Sequence, residues 1–414
     1  MTTNSPSLYW SFAEKLAFRF AFILFSLFIV FFNNGVFPFF NVIVGEIAAN
    51  IVIWLANGVL GMNYIPSIKP SGSGDTTHHY VILLFISILS LTSCLLWTLI
   101  DKKRNNYNNL FYWLSVGVRF YLGIMLIHYG LIKVIKMQFG SPDLMRLLTP
   151  YGDSSPMGLA WTFLGFSDGY NVFMGIAELL CGLLLFRRTV TIGAIIALMV
   201  SANVMAINYF FDVPVKILST AVVIMSLFLL APNFTRLIDL FFKGKPTCLQ
   251  VLGPALIPKK WFLYGTPIVK YLFIAYCILP AVFSVLERRH SYGDGAPKLP
   301  LYGIYIVDSF KSESPIIKWD KLIIQRSTYS AIQLENDDTE YCNMSVDTVK
   351  HQLEIVFKDD LNTRHQFSYH ALDSDNLDLV GTYFDQRIVV KLKRKRLELI
   401  ERPFNWISED PYNR

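Results

Sequence analysis

Over the first 290 positions apolar residues come in long unbroken runs, and beyond position 300 they alternate with polar ones. A hydrocarbon core roughly 30 Å thick, crossed at 1.5 Å per residue, takes about 20 apolar residues. Runs near residues 16–32, 80–100, 111–134, 170–186, 189–210, 214–231 and 267–286 meet that length within a few residues, so the pattern predicts a bundle of about seven spans. Two of these runs meet at the polar corner NYFFDVPVK. Pro214 has no amide proton and disfavours helical geometry at Val213, so the chain is expected to turn there. Asn208 and Asp212, four apart, share a helix face, and Lys216 falls just past the turn, within reach of the carboxylate.

Residues 41–61, NVIVGEIAANIVIWLANGVLG, are long enough to span. Glu46, Asn50 and Asn57 form one helical stripe, which favours an outer helix lying along the interface. The period becomes two in segments such as QLEIVF and IVVKLKRKR. With further short strands at LYGIYIVDSF, KLIIQ, SAIQLE, RHQFSYH and LDLVGTYF, this predicts an antiparallel β-sandwich or small β-barrel of about six to eight strands. The linker SYGDGAPKLP marks the boundary. The expected organisation is an N-terminal transmembrane hairpin with its interfacial helix (1–110), a core holding four of the runs (111–240), a cytoplasmic segment and last span (241–290), and the β domain (291–414).

Composition agrees: 53% of the 414 residues are hydrophobic and 16% charged. The charge divides unevenly, with 21 Lys/Arg against 11 Asp/Glu up to residue 290 and 16 against 20 after it. A basic membrane part thus carries a slightly acidic water-soluble part, and nothing in the pattern suggests a nucleic-acid partner. No small-residue cleavage site follows the first run, so that run is expected to stay attached as a signal anchor. Basic residues concentrate at Lys102, Lys103 and Arg104, at Arg187 and Arg188, and from Arg236 to Lys260 including Lys259, whereas residues 33–79 hold only Lys69. By the positive-inside rule the N-terminus is cytoplasmic and the β domain extracytoplasmic. The expected location is a membrane crossed several times. The five cysteines show no C-x-x-C spacing, which argues against dithiol exchange.

Several polar groups within the runs call for chemistry or pairing. Arg119 falls near the middle of its run, where an unpaired charge costs several kcal/mol. Glu178, about ten residues from the outer end of the next run, is expected at similar depth and is assigned as its ion-pair partner, in a structural role. Glycines 123 and 130 on one run and 175 and 182 on the other would let these helices approach closely. Lys133, four turns beyond Arg119, either snorkels to the headgroups or sits in a partly dry cavity as a base or anion-binding group. His128 falls on roughly the opposite side of that helix. The loop GSGDTTHH could form a backbone nest at Gly72 and Gly74, with Asp75, His78 and His79 as metal ligands or proton carriers. Its plain alternative is a loop ending at a helix cap, and no metal-ligand spacing accompanies it. The 33-residue stretch between the third and fourth runs, carrying Trp161, Phe163 and Phe166, is expected to form a lid or re-entrant element.

The pattern R-x-x-x-G followed by G-x-x-K at Arg119, Gly123, Gly130 and Lys133 resembles the DoxX family of bacterial membrane proteins. So do GIAELLCGLLLFRR with Glu178, Gly182 and Arg187, and NYFFDVPVK with Asp212, Pro214 and Lys216. The likeness covers roughly residues 111–240. The chain is also similar to longer members with an extra N-terminal hairpin, a GSGDT loop and an outer domain ending in a segment like RPFNWISEDPYNR. The resemblance implies a location in the bacterial inner membrane, a four-helix core and, for some relatives, partnership with thiosulfate:quinone oxidoreductase or other redox enzymes. More remotely the core is similar to the membrane domain of vitamin K-dependent gamma-carboxylase; no carboxylase signature is present, and that activity is not carried over.

Two main classes of function follow. In the first, Lys133, Asp212, Lys216 and His128 line an outward polar pocket of a quinone-linked redox enzyme or subunit as catalytic groups, with Asn208, Asp75 and His78 binding the cofactor. In the second, the bundle is a non-catalytic anchor or assembly factor presenting the β domain to envelope partners. A transporter ranks third, since no inverted repeat or broken helix pair is visible.

Overall fold

The computed structural model describes residues 9–66, 72–251, 253 and 260–413. Lys69 and Lys259, which enter the loop-charge argument, lie outside the described residues. The chain divides into two compact units, Met1–Gln138 with Asp168–Arg288, and Phe139–Ser167 with Arg289–Arg414. In chain order the helices are α1 (Phe12–Phe31), α2 (Pro38–Ile53), α3 (Thr77–Ile100), α4 (Asn108–Val134), α5 (Leu144–Leu148), α6 (Pro156–Phe166), α7 (Asp168–Leu179), α8 (Val190–Phe210), α9 (Lys216–Leu230), α10 (Phe234–Phe241) and α11 (Lys260–Arg288).

Among the described residues six helical stretches are long and apolar enough to cross a membrane: Thr77–Ile100, Asn108–Val134, Asp168–Leu185, Arg187–Phe210, Lys216–Phe241 and Gly265–Arg288. At 20 residues α1 has spanning length too, although it carries Glu14, Lys15 and Arg19. Glu14 is used in a capping box with Ser11 at the helix start. Arg19 is buried and donates to the Tyr107 hydroxyl at 2.6 and 2.9 Å, to Thr98 Oγ1 at 2.9 Å and to the Asp101 carbonyl at 2.7 Å. The segment read as an outer amphipathic helix is α2 with a π-helical turn, Trp54–Val59. Ala48, Val52, Leu55 and Ala56 form its buried face, while Glu46, Asn50 and Asn57 lie on the exposed one. The apolar face thus repeats every three to four residues.

The tightest packing in the helical unit is between α4 and α7. A Cβ added at Gly130 would lie 2.8 Å from the Gly175 carbonyl oxygen, and one at Gly175 would lie 2.8 Å from the Gly130 carbonyl oxygen. Two helices carrying glycine at the crossing point can bring backbone against backbone. Further along, Gly123 faces Leu185 and Gly182 faces Ile127. These contacts fix the antiparallel register of the two helices.

The second unit contains a closed antiparallel barrel in the order β1 (Gly303–Ser312), β2 (Trp319–Ile324), β3 (Ser330–Leu334), β4 (Thr339–Asp347), β5 (Gln352–Phe357), β6 (His365–Ala371), β7 (Asn376–Tyr383) and β8 (Gln386–Arg394), with β1 pairing β8 to complete it. Alternation supplies the interior: Leu353, Ile355 and Phe357 of β5 and Ile388, Val390 and Leu392 of β8 all point in. Lys391 and Lys393 are exposed. Trp319 is buried in this core, 5.6 Å from the Phe367 ring and 5.3 Å from that of Tyr383. Strand β4 is missing from the sequence-based set because its inward residues, Cys342 and Met344, are weak β signals between polar neighbours.

The stretch expected to act as a lid or re-entrant element belongs to the barrel's unit. It folds as α5 and α6, and Leu144 is buried in a small cluster with Ile304, Ile323, Ala331 and Leu397. The Leu144 amide donates to Gln325 Oε1 at 2.6 Å, and the Ser141 amide and hydroxyl bind the Asp294 carboxylate at 2.8 and 2.6 Å. The apolar residues of α5 therefore cover barrel surface, while Phe163 and Phe166 of α6 are exposed. The five cysteines are free thiols.

Two expectations follow. Gly130→Ala should lower the melting temperature of the detergent-purified protein, reflecting about 1–3 kcal/mol of overpacking. Gly117→Ala, on the same helix with nothing within 4 Å of the added Cβ, should be neutral or stabilising. Equal effects would contradict the close crossing. In the barrel, His365 accepts the Phe384 amide on Nδ1 and has a buried Nε2 without a partner, and burial holds its pKa below the ordinary value. A depressed histidine leaves stability intact above the unfolded value, about 6.5, and removes it as pH falls through the folded one. The urea midpoint of the barrel, followed by pulse proteolysis of the full chain, should therefore drop on going from about pH 7.5 to about pH 5.5. His365→Gln should remove part of that drop, which a His365-independent acid transition would leave unchanged.

Candidate functional site

Polar side chains in the helical unit gather in separate groups. The most buried lies where α4 and α7 cross. Lys133 is 5% exposed and Glu178 3%, and the ammonium Nζ reaches Glu178 Oε1 at 2.5 Å and Oε2 at 2.6 Å. Lys133 occupies the last turn of α4, where the helix dipole favours a cation. Its Nζ is 5.6 Å from the centre of the Tyr129 ring, one turn back, and the Tyr129 hydroxyl accepts a hydrogen bond from Asn34 Nδ2 at 2.7 Å. Lys136, at φ +56° just past the helix end, pairs with Asp168 at the start of α7. Each cation thus sits at a helix C-terminal end, and Asp168 at an N-terminal end.

This overturns the expected Arg119–Glu178 pair. With Gly130 set against Gly175 and Gly123 against Leu185, the register places Glu178 beside Lys133 and carries Arg119 past the end of α7. There the 3₁₀ turn Leu180–Leu185 leaves carbonyls unused by the helix ladder, and Arg119 Nε donates to the Leu184 carbonyl at 2.9 Å. Counting residues from the ends of two helices gave a depth. It could not give the offset between them.

The second group is the corner between α8 and α9. Lys216 Nζ bonds Asp212 Oδ1 at 2.9 Å, and the Asp212 side chain is 84% exposed, with a backbone φ of +51°. Asn208 is buried, donates to the Val215 carbonyl at 3.2 Å, and through its own carbonyl accepts the Val213 amide at 3.0 Å. The GSGDT loop packs directly on this corner. Asp75 accepts the first amides of α9, from Lys216 at 2.6 Å and Ile217 at 3.1 Å, and the Gly74 amide donates to the Pro214 carbonyl at 2.8 Å. Asp75 is therefore an N-cap supplied from another part of the chain. It is the anion at that helix end.

The histidines are likewise occupied locally. His79 Nδ1 lies 2.7 Å from Thr76 Oγ1 in a capping arrangement at the start of α3, and the His78 ring stands 5.6 Å from it. The plain alternative of a loop ending at a helix cap is what the loop forms. His128 Nε2 lies 3.2 Å from the Cys277 carbonyl on α11, on a face of α4 turned away from Lys133. Among the described residues no group of three His, Cys, Asp or Glu could hold a metal ion.

The expected set Lys133, Asp212, Lys216 and His128 therefore does not act as one group. Lys133 Nζ is paired with Glu178, while Lys216 Nζ is paired with Asp212. Asp168 and Asn34 were missed by sequence reasoning. An acid opening a helix was the available signal for the first; for Asn34, in a tight turn at φ +49°, there was none.

A helical unit of spanning helices together with a closed β-barrel defines a multi-pass membrane protein with a folded β domain. Over 138 residues, 32% of this chain, it is 36% identical to "Uncharacterized protein YwoB" of Bacillus subtilis (strain 168), spanning 86% of that protein, and the chain belongs to the YwoB family. No family model matches the chain, and no solved structure matches it.

Removing one partner of a buried ion pair leaves an uncompensated charge, at a cost of about 3–5 kcal/mol. Lys133→Met or Glu178→Leu alone should thus sharply reduce the melting temperature and the yield of folded protein, and the double variant should recover most of the loss. Arg119→Leu should show no such coupling to Glu178→Leu. Additive losses at Lys133 and Glu178 would count against the pairing.

Proposed function

We propose that this chain is a membrane anchor that holds its β-barrel on the extracytoplasmic side of a bacterial inner membrane, with a cytoplasmic N-terminus, and displays it to envelope protein partners. The observation that carries this reading is that the candidate catalytic side chains are consumed in separate local roles: an ion pair, an exposed corner pair and a helix–helix hydrogen bond. The basic loops argue for the orientation.

A second reading keeps the DoxX-like, quinone-linked redox role, and the Lys133–Glu178 pair favours it. Ionisable groups buried within a membrane unit are costly and are commonly retained for function. Here the pair lies beside the Tyr129 ring, and a hydroxyl, an ammonium and a carboxylate are groups that could bond a quinone oxygen and pass a proton.

Photo-crosslinkers placed at exposed barrel positions in intact membranes should capture extracytoplasmic proteins, and Lys133→Met/Glu178→Leu should capture the same set. The anchor reading fails if the wild type co-extracts near-stoichiometric quinone that this double variant loses while remaining folded.

A further inference from the structure

A third polar group lies at the end of the helical unit where α4, α8 and α11 begin and α7 ends. Arg119 is 2% exposed, and its Nε bond to the Leu184 carbonyl is its one hydrogen bond among the described residues. The two Nη groups meet no acceptor there. Lys270 of α11 comes down on the same stretch of chain, its Nζ 4.7 Å from the centre of the Phe186 ring and 5.6 Å from that of Tyr271. Arg187 is the residue that follows Phe186 directly in sequence. One turn before Arg119 on the same face of α4, the Ser115 hydroxyl is buried without a hydrogen-bond partner.

Three cations from three elements thus converge, and among the described residues neither Arg119 nor Lys270 has a carboxylate partner. Like charges brought together in a partly dry environment repel, and an arrangement of this kind is stabilised by an anion between them. A guanidinium with a free fork matches phosphate geometry, and an ammonium adds a point charge. The neighbouring surface is apolar and open: Phe186, Ile268, Val269, Tyr271 and Leu272 are all exposed.

We propose that this end of the bundle binds a phosphate-bearing anion, with the Arg119 guanidinium and the Lys270 ammonium as its direct contacts and Arg187 adding charge beside them. A phospholipid headgroup and a free phosphate share this chemistry. The apolar strip along α11 would take acyl chains in the first case and has no role in the second.

The test uses the full-length protein in neutral detergent, with the melting temperature and native mass spectrometry as readouts. The probes are phosphatidylglycerol, phosphatidylcholine and inorganic phosphate, each added separately. Phosphatidylglycerol should be retained and raise the melting temperature more than phosphatidylcholine does. Lys270→Gln should weaken this about fivefold, the effect of one charge near a lipid phosphate, and Lys270→Arg should restore it. Lys270 lies in a partly exposed position, so the variant's unchanged melting temperature without lipid controls for folding. An equal response to inorganic phosphate alone, also lost in Lys270→Gln, supports the anion site with a soluble source. The proposal is overturned if no probe shifts the protein, or if the shifts are the same in Lys270→Gln as in the wild type.

Discussion

The backbone contact at Gly130 and Gly175 decides where every charge in the neighbouring helices ends up. Because neither glycine carries a Cβ, α4 and α7 can approach until carbonyl oxygens face α-carbons, and sliding either helix by a turn would drive a side chain into the opposite backbone. With the offset set this way, Lys133 and Glu178 meet inside the unit and Arg119 is carried to the 3₁₀ turn that closes α7. An ion pair at such depth gives little net stability relative to a well-packed apolar pair, but it tolerates no single substitution. It therefore acts more as a check on register than as a source of stability.

The corner between α8 and α9 follows a different logic. Pro214 interrupts the helix, leaving the amides of Lys216 and Ile217 without helical acceptors, and Asp75 supplies them from more than a hundred residues away in sequence. The loop with Gly74 is held against the same turn by the Pro214 carbonyl. A motif whose glycine, aspartate and histidine content suggests ligand chemistry is thereby accounted for by closing one helix end and opening another. At the other end of α4's neighbourhood, Arg119 and Lys270 have no carboxylate partner among the described residues.

The barrel is built by a constraint that needs no charge. Alternation with period two, interrupted by register shifts in β1 and β2, sends one set of side chains inward, and the pairing of β1 with β8 removes both sheet edges. Trp319, Phe367 and Tyr383 fill the interior, so the domain is a packed module and not an open cup. The YwoB family relationship adds kinship without adding an activity.

What was legible in the sequence is what depends on local pattern. The helices of spanning length among the described residues, the turn at Pro214, the outward stripe of Glu46, Asn50 and Asn57, and the antiparallel β domain all follow from periodicity, chain stiffness and the length a bilayer demands, which act within twenty residues or so. Only β4 escaped, because its inward Cys342 and Met344 resemble no strand core. The pairing of side chains was decided by tertiary structure alone. Lys133 rather than Arg119 takes Glu178, Asp75 caps a distant helix, and residues 139–167 join the barrel's unit. Each of these depends on the relative offset of two elements far apart in sequence, and that offset is set by close contacts between surfaces, which a one-dimensional pattern does not contain.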